Sequence, residues 1–272
     1  MATENFAEPI LSFRELIDRF SPDSVNPDEI LSFCHTTREG YATDIITKNY
    51  AKAMPCKVYL EDLVYFFYGK ANYVIDKDEM ASYTDDPPVC FIFNPNAVKE
   101  QMKRILPFDS GGYPRYEVKT GYTKDRYTYE LPQLKHILGY IKLIYKTHER
   151  YMRGDVDMEN LLLFKDVCIE LEEMIKMYEK AAKGDLKAGK QLYTFEVQYG
   201  SNVAFEPSHI VIPYLYYTKP YWSKHFNARF PNILLEHYGE VEQFENYGQP
   251  LENFEYHSLM RKKVSEILNK TV

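Results

Sequence analysis

The chain has 272 residues with a formal net charge of −7, and 45% of its residues are hydrophobic. This apolar share can form a sizeable core, which excludes an intrinsically disordered protein. The negative charge excludes a surface that is basic throughout, although a local basic patch is still allowed. No apolar run approaches the roughly 18 residues of a membrane-spanning helix, so we expect no membrane association.

The cysteines indicate a reducing compartment. Cys34, Cys56, Cys90 and Cys168 are widely spaced and form no CxxC pair. That pattern favours free thiols over a disulfide framework, and it offers no metal-ligand spacing. The first ten residues lack the basic and apolar regions of a secretion signal. We therefore expect a cytoplasmic protein without a bound metal.

In the first half of the chain, short helices and strands alternate. Apolar residues at helical spacing predict helices over 9–20 and 38–48. Runs rich in aromatic and branched residues predict strands over 30–37, 63–69 and 89–95. A short helix and a strand running into a Gly-Gly turn are expected to follow.

The middle of the chain is helical. A 3-4 rhythm of apolar residues over 131–151 and 156–183 predicts an antiparallel helical hairpin, with Gly-Asp-Val-Asp as a tight connection. Strands are predicted over 191–198 and 209–217, and a C-terminal helix over roughly 256–269. We therefore predict an α+β fold: one domain over 1–272 with a helical insertion at about 131–183.

The first candidate site is the sequence Cys-His-Thr-Thr at the end of the first strand. His35 at the rim of a sheet could hydrogen-bond a ribose hydroxyl, with Thr36 beside it. Thr36 or Thr37 could also cap the next helix. A solvent-facing histidine followed by an ordinary cap explains the same residues.

The second candidate is the aromatic strand that ends at Gly69. Tyr68, or Tyr73 a few residues later, could stack on a flat ring, and Gly69 allows a close approach of the backbone. A core strand that ends in a turn is the structural alternative.

The third candidate is a late strand that carries Glu196. Glu196 and Gln198 share one face of it, because side chains alternate along a strand. A carboxylate buried there without partners is costly, so this face either lines a pocket or is solvated.

Together these segments resemble the ADP-ribosyltransferases of the His-Tyr-Glu type. The order of a strand ending in His-Thr, an aromatic strand with Tyr and a late strand with Glu is similar to theirs. FEVQYGSNVAFEPSHIVIP, over 195–213, resembles the catalytic strand of DarT-like toxins. EDLVYFFYGKANYVI, PVCFIFNP and LPFDSGGY resemble segments of bacterial proteins associated with phage defence.

The resemblance implies a split, mostly antiparallel sheet and NAD as substrate. It implies that His35 and Thr36 bind the nicotinamide ribose and that Tyr68 or Tyr73 stacks on the nicotinamide. It also implies that Gln198 helps to bind NAD and that the catalytic Glu196 holds a ribose hydroxyl. The carboxylate would stabilise positive charge at the anomeric carbon.

The implied activity is transfer of ADP-ribose to a nucleic acid or protein acceptor, or to water, as a toxin or antiviral effector. Two alternatives remain open. One is a non-catalytic, aromatic-lined binding or assembly protein of a defence complex, with the helical hairpin as a possible site for a protein partner. The other is a nucleic-acid processing protein that uses the Lys and Arg residues of 99–104 and 115–126.

Overall fold

The computed structural model describes residues 11–72, 87–112, 124–184, 189–217, 219, 221–239 and 253–269. The chain groups into two compact units. Unit 1 comprises 1–26 and 104–195, and unit 2 comprises 27–103 and 196–272. The chain of unit 2 is therefore interrupted by the segment that contains the predicted helical insertion.

The bounds of the regular elements in the described residues are as follows. The strands are β1 (Phe33–Arg38), β2 (Tyr50–Ala51), β3 (Met54–Cys56), β4 (Glu61–Tyr68), β5 (Pro88–Phe93), β6 (Met102–Leu106), β7 (Tyr129–Glu130), β8 (Glu196–Tyr199), β9 (Val203–Ala204), β10 (Pro207–Pro213) and β11 (Leu234–Tyr238). The α-helices are α1 (Phe13–Phe20), α2 (Glu39–Lys48), α3 (Pro95–Val98), α4 (Leu134–Tyr140), α5 (His148–Arg153), α6 (Met158–Phe164), α7 (Ile169–Ala182), α8 (Tyr214–Tyr217), α9 (Asn227–Arg229) and α10 (Asn253–Asn269).

Unit 2 is built on a mostly antiparallel sheet in the order β11-β10-β5-β1-β4-β8. All neighbours in this order are antiparallel except β10 and β11, which are parallel. β3 adds to β4, and β2 pairs with β9 in a separate ladder. The mixed α/β class and the mostly antiparallel sheet agree with the sequence prediction.

The sheet of unit 2 loosens between β1 and β4. β1 pairs with β5 along its whole length, from Phe33 to Arg38, but with β4 only at Phe33 and Cys34. Beyond that point β4 continues to pair with β8, as far as Val64 opposite Tyr199. The two halves of the sheet therefore separate next to His35.

The register fixes which side chains share a face, because paired residues point to the same side and successive residues alternate. Cys34 pairs with Phe67, and Phe67 pairs with Glu196. We call this side the Glu196 face. Phe33 pairs with Tyr68, and His35 lies two residues after Phe33. We call the opposite side the His35 face.

The long helix α10 packs on the Glu196 face. Tyr256, Met260 and Val264 of this helix form one buried cluster with Cys34 of β1 and Cys90 of β5. Removal of such apolar surface from water is the main source of stability for a helix on a sheet. This cluster therefore joins α10 to β1 and β5.

Unit 1 is mainly helical and has an aromatic core. Phe13 of α1 contacts the rings of Tyr140 and Tyr127 edge-on, at centroid distances of 5.6 and 5.9 Å. Phe195 packs between Tyr145 and Tyr151, and its backbone N–H donates to the Tyr151 hydroxyl at 3.1 Å. The tyrosine-rich composition is thus partly explained by this core.

The predicted two-helix hairpin over 131–183 is wrong in detail. The region contains α4, a π-helical segment at Ile141–Tyr145, and then α5, α6 and α7. Lys146 has a φ of 70° and ends the first segment, and Thr147 caps α5. Cys168, in extended conformation, separates α6 from α7. Hydrophobic periodicity continues across these breaks, so the sequence pattern did not reveal them.

Two predicted strands are shorter than expected. The strand predicted over 191–198 begins only at Glu196, after a 3-10 turn at Gly189–Tyr193. The strand predicted over 209–217 ends at Pro213, where α8 begins. Within the described part of the chain, no helix combines the length and apolar character needed to cross a bilayer.

Candidate functional site

The predicted site residues do not all lie on one side of the sheet. Glu196 and Gln198 lie on the Glu196 face, as does Thr36, which is two residues beyond Cys34. His35 and Tyr68 lie on the His35 face. Tyr73 is outside the described residues. The structure therefore brings together the carboxylate and the amide, places Thr36 on the same face two strands away, and puts the histidine and the tyrosine on the opposite face.

His35 lies where β1 and β4 separate. Its Nδ1 donates to the carbonyl oxygen of Tyr65 at 2.8 Å, which leaves Nε2 as the acceptor in the neutral ring. The imidazole lies between Phe91, stacked at 6.2 Å, and Phe66 at 5.4 Å. Burial lowers the pKa of His35, and the bond to the carbonyl opposes this shift. The ring is thus held neutral and fixed.

Tyr68 has a structural role. Its hydroxyl accepts a hydrogen bond from the backbone N–H of Leu31 at 3.0 Å, and the side chain is fully buried against Phe33. Burial is the main cause of its raised pKa. A ring in this position cannot stack on a ligand that contacts Glu196, because the sheet lies between them.

Glu196 is the most deeply placed acidic side chain among the described residues of unit 2, with an exposure of 1%. The Nε2 group of Gln198, itself fully buried, donates a hydrogen bond to Glu196 Oε1. A buried carboxylate is retained only where hydrogen bonds compensate for lost hydration. The Glu-Val-Gln sequence of β8 provides one such bond within a single strand.

Tyr65 is a tyrosine of the Glu196 face that the resemblance did not select. It pairs directly with Gln198 and is half-buried. Its pKa is raised by burial first, then by a hydrogen bond with Cys56 and by the charge of Glu196. Side-chain alternation along β8 does not say which residues of β4 share its face. Tyr65 could have been selected only from the register of β4 against β8, which one sequence does not show.

Thr36 is buried, with an exposure of 6%, on the same side of β1 as Cys34. Its Oγ1 has no hydrogen-bond partner within the described residues. It does not cap α2, which begins at Glu39 with Arg38 at the N-cap position. Burial of a hydroxyl without a hydrogen-bond partner lowers the unfolding free energy, so Thr36 is a candidate for a functional role.

Unit 1 contains a separate polar cluster. The Tyr129 hydroxyl donates to Asp18 Oδ1 at 2.5 Å and contacts His136 Nε2 at 3.1 Å. His136 Nδ1 accepts from the backbone N–H of Gln133 at 2.9 Å, which satisfies the start of α4. This arrangement has a structural explanation as a helix cap. Among the described residues no group of acidic, histidine or cysteine side chains has the geometry of a metal site.

No protein-family model matches this chain, and no significant match was found among the curated proteins or the solved structures.

Proposed function

We propose that unit 2 cleaves the N-glycosidic bond of NAD at Glu196 and transfers ADP-ribose to a macromolecular acceptor or to water. The observation that carries the proposal is the Glu196 carboxylate, buried on a sheet face and bonded to Gln198. The resemblance of β8 and its flanking residues to the catalytic strand of DarT-like toxins supports the same role.

The separation of β1 from β4 also supports this function. Backbone pairing between β1 and β4 ends at Cys34, and beyond this point the side chain of His35 bridges the two strands through its hydrogen bond to the Tyr65 carbonyl oxygen. An interruption of this kind can admit a ligand when the bridging side chain moves. Thr36 and Tyr65 flank the interruption on the Glu196 face. In this arrangement Tyr65, not Tyr68, takes the role of the aromatic residue that contacts the nicotinamide.

The chemistry requires a carboxylate beside a developing cation. The bond between the nicotinamide nitrogen and the ribose carbon breaks, and nicotinamide leaves with the electron pair. The ribose carbon acquires positive charge, which Glu196 stabilises electrostatically in a dry site. An acceptor oxygen or nitrogen then bonds to this carbon, and its proton passes to the carboxylate or to solvent. The short strand β8 keeps the carboxylate in one position throughout.

Access to Glu196 sets a condition on this mechanism. With an exposure of 1%, its carboxylate is not in contact with bulk water. NAD must therefore displace side chains that cover this face, and we expect slow turnover in the absence of the acceptor. An acceptor that opens the same face would increase the rate.

The test is incubation of the purified protein with NAD, with nicotinamide measured by chromatography. Glu196→Gln keeps the size of the side chain and an acceptor for Gln198, but removes the charge. We expect nicotinamide release to fall at least about 100-fold, the usual loss when a preorganised electrostatic group is removed. Glu206→Gln is the matched control, since Glu206 is exposed and lies in the short loop after β9.

Thermal unfolding of both variants establishes that they are folded. Unchanged nicotinamide release in folded Glu196→Gln would contradict the proposal. So would the absence of nicotinamide release by the wild-type protein, with nucleic acid and protein acceptors both supplied.

A second candidate function is a non-catalytic binding protein. It is favoured by the position of His35 and Tyr68 on the face opposite Glu196, and by exposed apolar side chains in unit 1. Leu162 and Leu163 of α6 are 45% and 76% exposed, and Ile169 at the start of α7 is 45% exposed. Exposed apolar side chains are typical of protein contacts where they form a continuous patch. Changing Leu162 and Leu163 to Glu would then abolish complex formation, measured by light scattering. Nicotinamide release from NAD would be the same in this variant as in the wild type.

The nucleic-acid alternative has weaker support. Lys103 pairs with Glu61, and Arg104 is buried and pairs with Glu130 at 3.2 Å. These two side chains are therefore already neutralised. The basic residues over 115–123 lie outside the described part of the chain.

A further inference from the structure

One segment of unit 2 differs in composition from the rest of this acidic chain. No acidic residue occurs between Glu206 and Glu236, although the protein has 40 Asp and Glu residues in all. The sequence YLYYTKPYWSKHFNARF, over 214–230, lies within this stretch and has seven Tyr, Trp and Phe residues and three Lys and Arg residues. We call it the aromatic-basic segment. In a protein with a net charge of −7, a polyanion can bind only where positive charge is locally in excess.

The inner side of the aromatic-basic segment is anchored on the sheet of unit 2. Trp222 and Phe226 are buried, with ring centroids 5.7 Å apart, and Phe226 contacts Phe230 at 5.0 Å. Phe205 joins Phe230 to Phe91 of β5, with both ring contacts at 5.4 Å. Phe91 lies on the His35 face. These aromatic contacts therefore fix the segment on the side of the sheet opposite the Glu196 face.

The outer side of the segment carries its three basic side chains, all of which are exposed. Two of them lie over aromatic rings. The Nζ atom of Lys219 is 4.1 Å from the centre of the Tyr216 ring, and the guanidinium carbon of Arg229 is 5.0 Å from that of Phe230. Contacts of this kind attract a cation to the face of a ring. The outer side therefore places positive charge and aromatic surface next to each other.

The most accessible ring of this outer side is Tyr221, which is 40% exposed. It makes a perpendicular contact with the buried ring of Trp222 at 5.4 Å, which supports it from one side. Lys224 lies in the same π-helical turn, Tyr221–Phe226, and is exposed. In the part of the chain that the structure describes, neither Lys224 nor Arg229 forms an ion pair with a carboxylate. Their charges can therefore act on an external anion.

Exposed rings between cations match the chemistry of a single-stranded nucleic acid. Its phosphates bind lysine and arginine, and its unpaired bases stack on aromatic rings and on guanidinium planes. In a duplex the bases stack on one another and are closed to such rings. An acidic peptide would bind the cations but would leave the rings without a stacking partner. A single strand is thus the polyanion that uses both kinds of side chain.

We propose that the outer side of the aromatic-basic segment binds single-stranded nucleic acid. Tyr221 stacks on a base, and Lys224 and Arg229 neutralise phosphates of the same strand. This surface is distinct from the basic residues over 99–104. It is anchored on the side of the sheet opposite the proposed NAD reaction, so the binding goes beyond that reaction and does not depend on it.

The test is a fluorescence-anisotropy titration of labelled single-stranded DNA and RNA oligonucleotides of mixed sequence with the whole protein, at several salt concentrations. Tyr221→Ala removes the ring, and we expect it to weaken binding about 5- to 150-fold, the effect of losing one stacked base. Tyr221→Phe keeps the ring and should bind as the wild type does. Equal weakening by both substitutions would contradict stacking on this ring.

The charges are tested by the double variant Lys224→Gln, Arg229→Gln. The slope of log K against log salt concentration should become less steep by about 1.4, which is about 0.7 for each phosphate contact removed. Lys262→Gln is the matched control, because Lys262 is an exposed lysine of α10, which packs on the Glu196 face. It should leave the affinity and the slope as in the wild type. Thermal unfolding establishes that all variants are folded.

Other polyanions are compared in the same assay. These are a duplex of the same sequence, polyglutamate, and vesicles of phosphatidylserine and phosphatidylcholine. We expect each of them to bind more weakly than the single strand. Equal or tighter binding of any of them would overturn the proposal. So would equal affinity of wild type, Tyr221→Ala and the double variant, or the absence of binding by wild type at low salt.

The nucleic-acid surface and the NAD reaction can fail separately. Without an acceptor, nicotinamide release by Tyr221→Ala should equal that of the wild type, because Tyr221 is not on the Glu196 face. Binding of the single strand by a protein that releases no nicotinamide would support the surface and contradict the NAD reaction. Nicotinamide release by a protein that binds no single strand would support the reaction and contradict the surface.

Discussion

Gln198 and Glu196 are two residues apart on one strand, and the amide of the first donates to the carboxylate of the second. Both side chains are buried. The amide thus compensates part of the lost hydration of the carboxylate, and each residue depends on the other.

Gln198→Leu should therefore destabilise the protein by about 1–3 kcal/mol, because it leaves a buried carboxylate with one hydrogen bond fewer. The cost should be smaller in the Glu196→Gln background, where no charge needs compensation. A double-mutant cycle by chemical denaturation measures this difference. Additive effects of the two substitutions would show that the hydrogen bond has no energetic role.

Tyr68 and Tyr65 should respond differently to loss of their hydroxyl groups. Tyr68→Phe removes the acceptor for the Leu31 N–H, at 3.0 Å in the wild type. We expect a loss of about 1–3 kcal/mol in unfolding free energy, the cost of a buried donor without a partner, and no change in KM for NAD.

Tyr65→Phe should have the opposite profile: a smaller effect on stability, since the side chain is half-buried, and a raised KM for NAD. Denaturation and nicotinamide release on both variants provide the comparison. If Tyr68→Phe alone impairs turnover at unchanged stability, the assignment of faces is incorrect.

The contrast between the two tyrosines shows what the sequence could and could not predict. Alternation within one strand correctly placed Glu196 with Gln198, because it needs no knowledge of neighbouring strands. The relation of Glu196 to Tyr65 and Tyr68 depends on how β4 is registered against β8. A shift by one residue exchanges the two faces, and the local sequence of either strand does not determine that shift.

The same limit applies to the helical region. Apolar spacing predicted most helical residues between Leu134 and Ala182, but not the breaks at Lys146 and Cys168. A lysine with positive φ has no sequence signature, because only the surrounding packing imposes that conformation. The packing of α10 on the sheet was missed for a related reason. Tyr256 and Met260 cluster with Cys34 of β1, which lies more than 200 positions earlier in the chain.

Gly139 allows α4 to pack closely on α1 within unit 1. A β-carbon at this position would lie 2.7 Å from the backbone oxygen of Ile17 and 2.6 Å from Ser21 Oγ. Gly139→Ala should therefore destabilise the protein by about 1–3 kcal/mol, the usual cost of overpacking. Thermal and chemical denaturation measure the change.

Adding Ser21→Ala to Gly139→Ala removes the close contact with Ser21 Oγ. The close contact with the Ile17 oxygen remains, because that oxygen belongs to the backbone. Ser21→Ala also removes the hydrogen bond that Ser21 Oγ donates to that oxygen at 2.8 Å. The double variant should therefore remain destabilised. Full recovery of stability would show that the helix backbones are not in close contact.

His257 should make the stability of the protein depend on pH in the acid range. Burial, with the charges of Arg261 and Arg38, lowers its pKa to about 4 in the folded chain, against about 6.5 when unfolded. The unfolded chain therefore binds the proton first as the pH falls. The neutral imidazole contributes fully to the unfolding free energy above about pH 6.5. This contribution is lost progressively as the pH falls to about 4.

From these two pKa values we expect the unfolding free energy to fall by about 2 kcal/mol between about pH 7 and pH 5 on account of this residue. Burial also lowers the pKa of His35, His136, His209 and His237, so the wild type alone cannot isolate the effect. The informative quantity is the difference between wild type and His257→Gln, measured by urea denaturation at both pH values. The variant should lose correspondingly less stability on acidification, and parallel pH profiles would show that the pKa of His257 is not lowered in the folded protein.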